Sequence, residues 1–204
     1  MTIHSTTVTG FPFYDRLDAG SGMSAELRQF LDAGPPPVVF TLGSSAVFHA
    51  GDFYRESLRA ARIAGLRAVL LIGSDARNKL KEPPGDSVFV TDYAPYSELL
   101  PHGAATVHQG GIGTTAQALR AGRPMIVVPY SHDQPDNARC VARLGVATVV
   151  KRSQYRAERV ARELVGLLGA PHVDAARRVA AEMSQEDGVQ TACKNLSYTA
   201  QNSV

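Results

Sequence analysis

In the stretch VHQGGIGTTAQALRAG, residues 107–122, Gly110, Gly111, Gly113, Thr114 and Thr115 stand between an apolar run and a helix-like one. Glycines after a strand cost conformational entropy, so a chain places them where a turn needs positive φ or where something approaches the main chain. A tight turn accounts for one of them; the cluster points to a phosphate cradled by backbone N–H groups at a helix N-terminus. Three phosphate or nucleophile motifs fail against the letters. A Walker A loop needs a lysine where Thr114 stands. A dinucleotide fingerprint needs three glycines after the first strand, where TLGSSAV has one, although Asp75 near the end of the second strand mimics its ribose acid weakly. A nucleophile elbow needs a second glycine that GSSAV lacks, leaving His108, His132 and Asp133 without a serine partner.

Short runs rich in valine and isoleucine recur at 38–42, 67–72, 87–90, 104–107, 125–128 and 146–150, each too short for a stable helix, and read as buried parallel strands. Helical patterns lie between most of them: FYRESLRAARIAG, TTAQALRAG and DNARCVARLG. This alternation predicts an α/β, Rossmann-like doubly wound parallel sheet of about six strands. In the usual order 3-2-1-4-5-6, the loop after strand 1 (residues 43–45) lies beside the loop after strand 4 (residues 108–115), at the edge where ligands bind. Helical periodicity returns at 156–169 and 173–183, with a short addition at 189–196.

We divide the chain into a lead-in at 1–37, closed by Pro35-Pro36-Pro37, a domain at 38–196 and a frayed tail at 197–204. The lead-in carries a helix-like SAELRQFL and the aromatic patch GFPFY, whose Phe11, Phe13 and Tyr14 stay exposed or fold back on the domain.

With 204 residues, 44% of them hydrophobic, the chain can bury the core of one generous domain. A formal charge of +2 without a dense basic run gives no nucleic-acid partner. The arginines along 55–67 and 156–178 read as solvated helix faces. Cys140 and Cys193 lack metal or disulfide spacing, so no metal is expected. No apolar run approaches the roughly 18 residues of a membrane span, and the start has no signal-peptide pattern. The expected location is cytoplasmic.

The segment DYAPYSELLPHGAATVHQGGIGTTAQALRAGRPMIVVPYSHDQPDNA, residues 92–138, resembles the donor-binding signature of bacterial family 1 glycosyltransferases of the GT-B fold, which use a nucleotide sugar. The likeness rests on its aromatic-Ala-Pro opening, the histidine before a Gly/Thr turn, Gly-x-Pro before the fifth strand, and Pro-x-x-x-Asp-Gln followed by Asn-Ala. PPPVVFTLGSSAV and TGFPFY extend it over residues 10–192. The resemblance implies the C-terminal half of a GT-B fold, a UDP- or TDP-sugar as donor substrate with no further cofactor, and transfer of a hexose to a small-molecule or lipid acceptor.

It further implies that Tyr93 and Ala94 bind the nucleobase, that Ser44, His108, Gln109, Gly111, Gly113 and Thr114 bind the diphosphate, that Gln117 stands at the ribose, and that Asp133 and Gln134 take the sugar hydroxyls. The family's phosphate-binding histidine aligns with Gln109, its ribose-binding glutamate with Gln117, and its glutamine after Ala-Pro with Tyr96. Alone, His108 would read as a packed core histidine; the signature favours binding. Ser44 and Tyr93 also suit helix capping and covering of the sheet edge, and Asp133 suits the first turn of a helix. No catalytic residue is expected in this chain: the base belongs to a separate N-terminal GT-B domain, for which His4 is no substitute. A non-catalytic nucleotide-sugar-binding fragment or subunit, a GT-B-type UDP-sugar epimerase and an NAD-dependent enzyme stay open as alternatives.

Overall fold

The computed structural model describes residues 6–13 and 22–201; Tyr14, His4 and residues 202–204 lie outside the described residues. Six strands, β1 (Val38–Thr41), β2 (Ala68–Leu71), β3 (Val88–Thr91), β4 (Ala105–His108), β5 (Met125–Val127) and β6 (Ala147–Val149), form one sheet in the order β3-β2-β1-β4-β5-β6. Every pairing is parallel, and Val39 lies between Val69 of β2 and Thr106 of β4. This is the doubly wound order expected from the strand and helix alternation.

The sheet is buried on both faces because alternate residues feed two cores. Val38, Phe40, Ala68, Leu70, Val107 and Ile126 join one face, while Val39, Val69, Leu71, Met125 and Val127 join the other. With period-2 side chains buried on both sides, the strands read as continuous apolar runs in the sequence.

The helices are α1 (Ala25–Asp32), α2 (Gly43–Ala46), α3 (Phe53–Ala64), α4 (Tyr96–Leu99), α5 (Ile112–Arg120), α6 (Gln134–Arg143), α7 (Ala157–Leu167), α8 (Ala170–Met183) and α9 (Gly188–Gln201). The first face is covered by α3 and α7 through Leu58, Ala61, Val160 and Leu164, and the second by α1, α5, α6 and α8 through Leu27, Leu119, Val141 and Ala176. A buried clamp joins α3 to α7. Ser57 Oγ donates to the Phe53 carbonyl at 2.7 Å and lies 2.7 Å from the Tyr155 hydroxyl, while Glu56 Oε2 accepts from the Ala157 N–H at 2.8 Å. Glu56 thereby satisfies a free donor at the start of α7 that no local side chain reaches.

The ends of the chain differ from the expected boundaries. Ser24 caps α1, its Oγ accepting from the Leu27 N–H at 3.2 Å, and Met23, Leu27 and Leu31 are buried in the second core, so the packed domain reaches back before Val38. The aromatic patch folds back: Phe11 packs on the second core, and the Arg120 guanidinium lies 4.2 Å from the centre of the Phe13 ring. At the other end α9 continues to Gln201, past the expected start of fraying at 197. A Cβ at Gly188 would lie 2.6 Å from the Phe11 carbonyl oxygen, so the lead-in passes close against the start of α9.

Candidate functional site

At the carboxyl edge of the sheet, the turns after β1 and β4 meet over a cavity of about 530 Å³, within the usual range of about 300–1,000 Å³ for small-molecule sites. β1 ends at Thr41, and Gly43, with φ of +64°, turns the chain into α2; β4 ends at His108, and Gly110, with φ of +86°, turns it toward α5. The cavity is lined by Ser44 from the first turn, by Gly113, Thr114 and Gln117 from α5, and by Tyr93 and Ala94 after β3. These are six of the residues expected from the sequence, brought together by the adjacency of β1 and β4.

Among the described residues no lysine, arginine or histidine lines this cavity, and one carboxylate, Asp92, does. The feature there that favours an anion is the start of α5, whose N-cap, Gly111, offers no side chain to the free amides of the first turn. A Cβ at Gly113 would meet nothing within 4 Å, so the bare backbone there faces open space. A Cβ at Gly43 would lie 2.4 Å from Gln109 Nε2, and one at Gly111 2.6 Å from it. The Gln109 amide thus fills the gap between the two turns, buried, with Oε1 lacking a hydrogen-bond partner among the described residues. Gln109 and Gly111 back the cavity without lining it. The Gln117 Oε1 accepts from Arg120 Nη2 at 3.0 Å.

His108 is a correction to the sequence reading. It is fully buried, Nδ1 accepts the Gly110 N–H at 3.0 Å, and Nε2 lies 3.3 Å from Met125 Sδ. Burial pushes its pKa down to about 4, which keeps the ring neutral. A neutral imidazole enclosed in this way holds the turn in shape and does not reach a phosphate.

Asp133 and Gln134 lie outside the cavity lining, in the turn after β5. Gln134 Oε1 accepts the N–H groups of Tyr130 at 2.8 Å and Ser131 at 3.1 Å, so its carbonyl is spent on its own turn. Asp133 is exposed and accepts from Asn137 Nδ2 at 2.7 Å; the same nitrogen lies 2.9 Å from the Gly110 carbonyl, tying α6 to the glycine-rich turn. Just before Asp133, His132 takes φ of 58°, alone among the described non-glycine residues in being positive. Histidine visits that region more readily than most side chains, and such outliers cluster at ligand-binding turns.

Thr41, Phe48 and Tyr96 were missed as site residues. The Thr41 Oγ1 lies 2.7 Å from the Tyr96 hydroxyl and accepts the Gly43 N–H at 3.3 Å. The Tyr96 hydroxyl thus ties α4 to the β1 turn, and burial raises its pKa so that it stays protonated. Phe48, half-exposed, forms an apolar wall of the cavity that also receives the exposed Tyr93 ring. The only sequence signal for Thr41 was a polar residue at the carboxyl end of a strand; Tyr96 was marked by its alignment with the family's glutamine after Ala-Pro, and Phe48 gave none beyond an aromatic side chain. Among the described residues no group of His, Cys, Asp or Glu could hold a metal ion, and no helix is long and apolar enough to cross a membrane.

Residues 59–197 match the family described as erythromycin biosynthesis protein CIII-like, C-terminal domain. The chain is 38% identical over 188 residues to the O-mycaminosyltylonolide 6-deoxyallosyltransferase of Streptomyces fradiae, covering 91% of this chain and 43% of that protein. It is 31% identical to a sterol 3-beta-glucosyltransferase of Arabidopsis thaliana, covering 92% of this chain and 29% of that one. In three dimensions it is similar to the glycotransferase of kitacinnamycin, with a TM-score of 0.70, 26% identity, and coverage of 93% of this chain and 48% of that one. The chain spans less than half the length of each of these proteins.

Proposed function

From a chain that belongs to the erythromycin biosynthesis protein CIII-like C-terminal domain family, the C-terminal domain of GT-B family 1 glycosyltransferases, we propose that the carboxyl-edge cavity holds a UDP- or TDP-sugar as the donor for glycosyl transfer. The observation that carries this reading is the start of α5: uncapped amides and the bare Gly113 backbone facing a cavity that has no cationic side chain among the described residues. In this pose Tyr93 and Ala94 contact the base, Gln117 the ribose, and Ser44, Thr114 and the α5 amides the diphosphate. Gln109 reaches the diphosphate from behind the turn, and Asp133 reaches the sugar hydroxyls from the turn after β5.

In the transfer step the acceptor hydroxyl oxygen bonds the anomeric carbon as its bond to the diphosphate oxygen breaks. The leaving group takes that electron pair, and the acceptor proton passes to a base. Fixed amide dipoles and hydroxyl donors stabilise the charge growing on the diphosphate without reorganising. The base and the acceptor pocket belong, on this reading, to a separate N-terminal GT-B domain, consistent with relatives more than twice as long as the stretch matched here. The relatives' names direct the acceptor search toward macrolactones and sterols.

Calorimetric titration of the chain with UDP, TDP and NAD tests the reading. We expect both pyrimidine diphosphates to bind with EDTA present and NAD not to bind. Binding that requires magnesium, or a preference for NAD, overturns it.

A further inference from the structure

Beside the cavity lies a second, cationic groove of about 450 Å³, formed by the first two turns of α3 and by residues 77–82. Arg55 and Arg59 face it from the helix, one turn apart, and Arg77, Lys79 and Lys81 face it from the loop. The loop is fixed in place: the buried Asn78 donates through Nδ2 to the carbonyls of Val47 at 2.9 Å and Ile72 at 2.8 Å, and Leu80 packs on the core. The lining acids are already engaged, Asp52 with Arg55 at 2.9 Å and Glu82 with Arg62 at 2.9 Å, and Arg77 is paired with Asp75 at 2.6 Å. No ion pair among the described residues engages Arg59, Lys79 or Lys81. A chain with a formal charge of only +2 therefore gathers three uncompensated cations on a rigid concave surface.

We propose that this groove binds an acidic polypeptide segment of a partner protein. Its concavity suits a chain segment better than a flat lipid surface. Its one lining aromatic, Tyr54, is buried with its hydroxyl donated to the Leu71 carbonyl at 2.6 Å, so the groove has no exposed ring on which nucleic-acid bases could stack. Arginine forks on α3 and lysines on the loop match carboxylates in geometry and charge. The partner would sit next to the nucleotide cavity, because Arg77 Nη2 also donates to the carbonyl of Phe48, a wall of that cavity, at 3.1 Å. The proposal does not depend on the donor reading.

The test is fluorescence anisotropy of a short labelled polyglutamate titrated with the full chain, beside polyglutamine and single-stranded oligothymidylate of equal length. The combined variant Arg59→Gln, Lys79→Gln, Lys81→Gln is compared with a control that removes the same charge elsewhere, Arg162→Gln, Arg178→Gln, Lys194→Gln. We expect polyglutamate to bind, polyglutamine not to bind, and the groove variant to bind polyglutamate about tenfold more weakly with its melting temperature unchanged, the scale of three exposed ion pairs. The control variant should bind as the natural chain does, and salt should weaken the complex. No binding of polyglutamate, tighter binding of oligothymidylate, an unaffected groove variant, or an equal loss in the control would each overturn the proposal.

Discussion

Two neighbouring turns at the carboxyl edge of the sheet, residues 109–115 after β4 and residues 128–137 after β5, each carry a strand into a helix, and they spend their polar groups in opposite ways. After β4 the side chains withdraw: His108 is buried, Gln109 is tucked behind Gly43 and Gly111, and the backbone of α5 is left bare toward the cavity. After β5 the side chains satisfy their own backbone: Gln134 holds the N–H groups of Tyr130 and Ser131, and Asp133 holds Asn137. Some polar letters of the signature, such as Thr114 and Gln117, face the cavity, whereas others, such as His108 and Gln134, are spent on their own turns. In the first turn the bare main chain at Gly113 faces the cavity beside the Thr114 side chain, and in the second the Asp133 carboxylate is exposed.

The comparison breaks most severely at Gly110. A Cβ there would lie 2.7 Å from Val127 Cγ1 and 3.3 Å from the Gln134 carbonyl at φ of +86°. Gly110→Val should cost about 3 kcal/mol or more, combining left-handed strain with overpacking. Urea unfolding measures the loss, and a near-natural midpoint would show that the turn is not the rigid element described here.

The next effect belongs to His108. Its folded pKa of about 4 lies below the ordinary 6.5, so between those values the unfolded chain binds a proton that the folded chain does not. The contribution is fully present above pH 6.5 and is lost as pH falls toward 4. At roughly 1.4 kcal/mol per pK unit it amounts to about 3 kcal/mol. His108→Asn should lower stability at neutral pH and flatten the pH dependence of the unfolding midpoint across this window. A slope equal to that of the natural chain would place the titration on another group.

Gly113→Val sharpens the contrast within one turn. Its Cβ enters open space, so the melting temperature should stay close to the natural value while affinity for UDP or TDP falls about tenfold or more, because the side chain occupies the space of the phosphate. Calorimetry beside a melting curve reads both. Unchanged affinity in the folded variant would reduce the glycine cluster to a turn.

The smallest effect is expected in the second turn. Asp133→Ala should weaken a nucleotide sugar by about 1 kcal/mol while sparing the free nucleotide diphosphate, the scale of one lost hydrogen bond. Titration with the two ligand types separates them. Equal weakening of both, or earlier melting alone, would confine Asp133 to holding Asn137.

The sheet was legible in the letters. Six apolar runs with helical patterns between them sufficed to predict the parallel order and the meeting of the turns after β1 and β4, because strand and helix periodicities are local properties of the chain. The sequence also located the glycines, since bare backbone is written directly in the letters. The use made of each polar side chain depends on the packed fold. His108 is a core residue because Met125 and the Gly110 amide enclose it. Tyr96 joins the site because Thr41, more than fifty residues earlier, lies across from its hydroxyl. Arg59, Lys79 and Lys81 converge only because β2 and α3 pack side by side. Hydrogen bonding and burial depend on partners distant in sequence, and a single linear pattern carries no record of which partner arrives first.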